Sequence, residues 1–246
     1  MWISLLLSIE IPERKSAMQK RDVSPQTAYL LPFGLFMGGL LLLSLVQGLG
    51  SKFAYPFLQH PEFWVYPLQT VVCGLAVVFL WRNYSFRFNS GILLGVLAGL
   101  VSLGIWISPQ VIFGKAARVE GFNPDLLQPG SFYYWCEVGL RFLRLALVVP
   151  FLEEIFWRGF LMRYFIKPKF TDVPFGTYQT FSFLAVAVLF ALEHGMVDWI
   201  PAVLTGLLYN GLAVRTKSMG SCVIAHAVTN LGLGFYIMAT KQWGFW

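Results

Sequence analysis

The sequence predicts an all-α fold, a polytopic transmembrane helical bundle of about seven or eight spans. Three observations predict it. Of 246 residues, 57% are hydrophobic and only 12% charged. The mean hydropathy is +0.65. Uncharged apolar runs recur at the ~20-residue length that a helix needs to cross a bilayer. A soluble domain of this length needs a charged surface, and these residues do not supply one.

The elements follow in order. The stretch "MWISLLLSIEIPERK" lacks a basic leading segment and is broken by Glu10 and Pro12, which argues against a cleaved signal. Residues 1–27 therefore read as a cytoplasmic lead-in, and 28–246 as a single transmembrane domain. The first span is Ala28 to Gly50. The second, Trp64 to Trp81, carries tryptophan at each end in the manner of an interfacial belt. The third runs from Gly91 to about Ile107; its Gly91, Gly95 and Gly99 share a face and predict close helix packing. After a turn-rich loop, Ser131 to Ile166 is too long for one simple span, which suggests a span to about Pro150 with a kink into "EEIFWR". Thr180 to Leu192 begins a fifth segment, and Trp199 to Val214 and Ser221 to Thr240 complete seven. Cys73, Cys136 and Cys222 fall in or beside spans without CxxC spacing and read as buried free thiols.

Charge placement orients the chain. Arg14, Lys15, Lys20 and Arg21 precede the first span, Arg82 and Arg87 follow the second, Arg163, Lys167 and Lys169 the fourth, and Arg215 and Lys217 the sixth. Alternate loops are nearly balanced in charge. The positive-inside rule then puts the N-terminus in the cytoplasm. The net charge of +6 is accounted for by these loops, and no basic stripe interleaved with aromatics points to nucleic acid.

Ionisable residues inside apolar helices cost about 2.5–3.5 kcal/mol each on insertion scales and face a bundle interior or a cavity. In "FLEEIFWRGF", Glu154 and Arg158 are four apart and can pair across one turn. Glu153 points about 100° away and has no local partner, which suits a general base. "FALEHG" adds Glu193 and His194. "IAHAVTNLG" sets His226 and Asn230 on one face, equipment for steadying an oxyanion. Glu137, Arg141 and Arg144 read as structural, with Glu137 and Arg141 paired at i, i+4. Glu153, His194, His226 and Asn230 together can converge on one water. The same groups as interhelical ties, in a non-proteolytic immunity or scaffold factor, form the alternative. A transporter relay fits less well, because no inverted repeat is detected. Carboxylate and imidazole also suit zinc, but HExxH is absent and the spacing does not decide between a metal-bound and a metal-free water. A regular seven-span layout sets His194 toward the outer side and His226 toward the cytoplasmic side, so convergence requires tilt, a broken helix or a shifted fifth span.

At these residues the sequence resembles the CAAX prenyl protease type 2 and bacteriocin-processing (CPBP) family of intramembrane proteases. "EEIFWRG", "FALEH" and "HAVTN" match its EExxxR, FxxxH and HxxxN/D motifs in order, within a protease-like core at 131–240. "TGLLYNGLAVRTKSMGSCVIAH" is similar to the helix and turn before the last motif. "FWVYPLQTVV" resembles a bacterial subgroup found beside exosortase systems, which implies a bacterial inner membrane. The resemblance implies Glu153 as the catalytic glutamate, His194 as its helper in activating water, His226 and Asn230 at the oxyanion site, and Glu154 and Arg158 in support. It implies a membrane-associated protein or peptide as substrate, and either a divalent metal such as zinc or a glutamate-dependent, metal-free water.

Overall fold

The apolar segments become helices, and the sequence around each explains where it stops. The computed structural model describes residues 23–246 except 51, 54, 87, 89 and 90. Most of the lead-in, with Arg14, Lys15, Lys20 and Arg21, lies outside the described residues, as does Arg87. Seven main helices occur among the described residues: α1 (Pro25–Gly50), α2 (Glu62–Phe79), α3 (Ile92–Val111), α4 (residues 132–164), α5 (Thr180–Leu192), α6 (Trp199–Thr216) and α7 (Met219–Thr240). No strand occurs among them. Helix α1 starts before Ala28 because Ser24 caps it, accepting from the Thr27 N–H at 3.1 Å, and Pro25 has its backbone angle preset for a first turn. Ser131 opens α4, Gln179 opens α5 and Ser218 opens α7 by the same kind of side-chain cap. Lys217 and Lys241 end α6 and α7 in the left-handed conformation, and the αL residue at 217 permits the tight α6–α7 corner.

The chain folds antiparallel, so the loops collect at two ends. At one end the Tyr84 hydroxyl donates to the Ala28 carbonyl at 2.7 Å, and the Tyr29 ring stands edge-on to Phe170. At the other, Arg118 clasps Asp198 through two hydrogen bonds of 2.6 and 2.9 Å, and the Gly244 N–H donates to the Arg118 carbonyl at 2.9 Å. These are called the Tyr29 end and the Trp246 end. Helices α1, α2, α3, α6 and α7 are long and apolar enough to cross a bilayer. Their outward faces carry Leu41, Leu75, Val78 and Leu93, all more than half exposed. So much exposed apolar surface marks a lipid-facing belt. With no hydrophobic drive between helices in lipid, close backbone approach takes its place. A Cβ at Gly95 would lie 2.6 Å from the Ser221 carbonyl and one at Gly99 2.5 Å from that of Ala225. The glycine stripe is thus the α3–α7 seam. Cys73 and Cys222 are buried and all three thiols are free.

Two departures from regular spans position everything that follows. Helix α4 contains two π-helical turns, Arg144–Val148 and Ile155–Leu161, on either side of a regular segment Val149–Glu154. Pro150 accounts for the first: it lacks an N–H and its ring crowds the preceding turn. Helix α5 has only 13 residues. It rises ~20 Å from the Tyr29 end, short of a hydrocarbon core of ~30 Å. A break at residues 193–195 and a 3₁₀ turn at Met196–Asp198 cover the remaining depth and lead into α6. This is the broken fifth span that brings His194 back into the bundle.

Candidate active site

The site grows from helix α4. Glu154 and Arg158, one turn apart, form the expected ion pair, Oε1 to Nη1 at 3.0 Å, with both side chains wholly buried. The pair does not stand alone. Arg158 Nε donates to Asn210 Oδ1 at 3.0 Å and its Nη2 to the Gly206 carbonyl at 3.4 Å. Asn210 in turn donates to the Phe183 carbonyl at 2.8 Å. Glu154 Oε1 also lies 3.0 Å from His226 Nδ1; a carboxylate accepts there, so that nitrogen carries the proton. The Arg158 guanidinium rests near the Phe190 and Tyr209 rings. Helices α4, α5, α6 and α7 are therefore joined through one buried charge pair.

Glu153 is treated differently. Oε2 is unpartnered in both glutamates, but Glu154 Oε1 has two donors, whereas the buried Glu153 side chain has none at all among the described residues. Glu193 and Glu154 are close enough to repel it, Arg158 and Arg144 to attract it. It lines a cavity of ≈ 250 Å³, and His194, His226 and Asn230 line the same space. The four residues singled out from sequence are thus brought to one cavity, but not into one hydrogen-bonded cluster. Among the described residues no direct hydrogen bond joins Glu153 to His194. His194 Nδ1 lies 2.8 Å from the Phe190 carbonyl, so it is the donor and Nε2 is left as the basic nitrogen. The ring is held between Trp106 and Phe190, with centroids 5.3 and 4.9 Å away. Trp106 is itself fixed by donating to Thr205 Oγ1 at 3.0 Å.

Asn230 has a partner that the sequence does not suggest. Its Nδ2 donates to the Leu145 carbonyl at 3.0 Å. In the π register that carbonyl would take the N–H of residue 150, and Pro150 has none. Asn230 supplies the missing donor, since a buried carbonyl seldom goes without. His226 and Asn230 therefore share a face of α7 as expected, but each is anchored to α4 by a separate contact. Thr229, between them, donates to the Gly99 carbonyl at 2.7 Å and meets the Tyr209 hydroxyl at 2.7 Å.

Several residues were missed or misassigned from sequence. Asn210, the second anchor of Arg158, is an amide in an apolar helix four residues after a glycine, and that was the available signal. Glu193, noted only as the neighbour of His194, lines the cavity with an unpartnered Oε2. The expected Glu137–Arg141 pair does not form within 4 Å. The Arg141 guanidinium instead sits 4.1 Å over the Tyr66 ring, because the aromatic face competes for it in a dry setting. A cavity of this volume holds several waters, each needing ≈ 30 Å³. Among the described residues no three His, Cys, Asp or Glu side chains are grouped to hold a metal ion.

The comparisons with known proteins bear on the same stretch. Residues 135–232 match the family described as type II CAAX prenyl endopeptidase Rce1-like, which agrees with the CPBP resemblance carried by the three motifs. The match spans α4 to the middle of α7 and includes every residue of the closed network and of the cavity quartet. No curated protein and no solved structure matches the chain. The apolar helices and the family match together support a multi-pass membrane protein of protease type.

Proposed function

We propose that the chain is an integral membrane endopeptidase that hydrolyses a peptide bond of a membrane-associated protein or peptide, using a water activated by Glu153 and His194. One observation carries this reading: Glu153 keeps an unpartnered carboxylate oxygen, and His194 a free Nε2, in the same cavity, while Glu154 is committed through Oε1 to both Arg158 and His226. Glu153 takes a proton from water as its oxygen attacks the scissile carbonyl. His194 Nε2 accepts a hydrogen bond from the same water and orients it. The tetrahedral oxyanion lies toward His226 and Asn230. His226 donates from Nε2 only as an imidazolium, since Nδ1–H is engaged by Glu154; the Glu154 carboxylate supplies the countercharge. Asn230 contributes the second hydrogen of its amide. Glu153 then returns its proton to the leaving amine as the C–N bond breaks. Arg82, Arg163, Lys167, Lys169, Arg215 and Lys217 gather near the Tyr29 end, which supports a cytoplasmic Tyr29 end by the positive-inside rule.

The test compares the termini of membrane proteins in cells carrying the wild-type chain or Glu153→Gln. Neo-termini present only with the wild type are expected, and their peptides are then cleaved by purified protein that keeps its rate after chelation. Identical termini in both strains sink the assignment. The anchoring of Asn230 on Leu145 favours a second reading, in which the polar residues serve only as interhelical ties. That reading expects Glu153→Gln to lower thermal stability and expression and to alter no terminus.

A further inference from the structure

Two cationic side chains on the same cavity have no role in the chemistry above. Arg141 and Arg144 are 3% and 6% exposed and both line the cavity. Arg141 Nε and Nη1 and Arg144 Nε have no hydrogen-bond partner. No carboxylate lies within 4 Å of either among the described residues; Glu137, one turn away from Arg141, is not paired with it. Both guanidiniums instead approach one ring, that of Tyr66, at 4.1 and 4.6 Å. Phe122 lies 5.1 Å from Arg141 and Phe36 5.2 Å from Arg144. Aromatic faces cover the planes of the two groups, and Arg141 Nε and Nη1 and Arg144 Nε stay unpartnered beneath them.

That arrangement is costly without a ligand. Two like charges sharing one ring repel, and burial without a directly paired carboxylate penalises each. If they were only packing elements, apolar side chains of similar volume would serve better. Guanidinium edges are matched in geometry by a carboxylate, which takes two parallel N–H donors. We infer that Arg141 and Arg144 form an anion subsite of the cavity that binds a carboxylate of the substrate peptide, either its free C-terminus or an acidic side chain. The subsite lies on the same helix as Glu153, displaced toward the Trp246 end. A chain held there by its carboxylate lies along α4 with a peptide bond near Glu153. The inference rests on the peptidase reading for what enters the cavity, and it adds what recognises it.

Binding is measured on the full chain in nanodiscs, with Glu153→Gln to prevent turnover. Three fluorescent probes are compared: dodecanoyl-tetraalanine with a free carboxylate, its C-terminal amide, and the amide with one internal Asp. One of the two acids is expected to bind about tenfold more tightly than the neutral amide. Which acid wins names the source of the carboxylate. Arg144→Gln and Arg141→Gln are each expected to reduce the preference to less than about twofold. Arg144→Lys, which keeps charge but not the fork, retains part of it; the thermal midpoint of each variant separates lost binding from lost fold. Equal binding of all three probes with both arginines present overturns the subsite, and so does binding of neither acid. A preference that follows anionic nanodisc lipid rather than the probe makes it a headgroup site and also overturns it. Cleavage that survives Glu153→Gln in cells, alongside an intact acid preference, removes the proposed base and leaves the subsite standing. Lost preference with Glu153-dependent cleavage does the reverse.

Discussion

Glu153 and Glu154 are the same residue type, adjacent, on one helix and at one depth, yet they belong to two unlike regions. Glu154 sits in a closed network in which Arg158, Asn210 and His226 engage it or one another. Glu153 opens on a cavity and meets no hydrogen-bond donor among the described residues. The contrast teaches that the cost of burying charge is handled in two ways within a few ångströms. Where one carboxylate oxygen meets two donors, as Glu154 Oε1 does, the result is rigidity; where a carboxylate meets none, the group stays available for a proton. A buried pair is seldom a net gain over apolar packing, but breaking one is expensive.

The largest expected effect breaks the closed side. Arg158→Met strands Glu154 and should cost about 3–5 kcal/mol, read as a lower thermal midpoint and poor yield. Glu154→Leu with Arg158→Met should recover much of that loss while freeing His226. Next comes the open side. Glu153→Gln should lower turnover about 10²–10⁴-fold with the thermal midpoint kept or raised, because it removes a buried carboxylate that meets no hydrogen-bond donor. A fall in stability matching that of Arg158→Met would erase the distinction between the regions.

A third experiment sharpens the boundary between them. Asn230→Ala leaves the Leu145 carbonyl without its donor and should cost about 1–3 kcal/mol. Pro150→Ala restores a backbone N–H, so Asn230→Ala should cost less in that background, a positive coupling in a double-mutant cycle. Gly99→Ala drives a methyl into the Ala225 carbonyl and should cost about 1–3 kcal/mol by forcing α3 from α7. The smallest effect lies outside the membrane. Asp172 bonds Lys167 at 2.8 Å and Lys169 at 3.1 Å, and Lys167, then Lys169, hold its carboxyl below the usual Asp value of 3.8. A lowered native pKa means that any stabilisation is present at neutral pH and lost as pH falls below that value. The group is fully exposed, so Asp172→Asn should leave the melting curve unchanged at neutral pH in salt.

Much of this was legible in the sequence, for physical reasons. Helices that face lipid on one side and each other on the other must be continuously apolar, so all seven segments stand out within a few residues of their bounds. The Glu154–Arg158 brace was legible because i, i+4 spacing is local. Asn210 was not, because its partner lies 52 positions away in sequence. The service of Asn230 to a proline-orphaned carbonyl was hidden for the same reason. Glu137 and Arg141 show the converse: correct local spacing, overruled by the Tyr66 ring from another helix. The depth of His194 was misplaced by assuming a full fifth span, and only the 13-residue length of α5 corrects it.

Hydrolysis in an oily medium is limited by where the second reactant comes from. Lipid tails close over regular helices but not over unwound backbone, whose polar groups persist at depth only beside protein or a wet cavity. The early end of α5 places a short break, residues 193–195, ahead of a 3₁₀ turn at Met196–Asp198, and Glu193 and His194 in that break line the cavity. The short helix thus acts as a hydration port: the residues that handle water sit where the bundle admits it. Longer acyl chains widen the mismatch around α5, at fractions of a kcal/mol per ångström, so the thickness of the host membrane becomes a control on how readily that port is wetted.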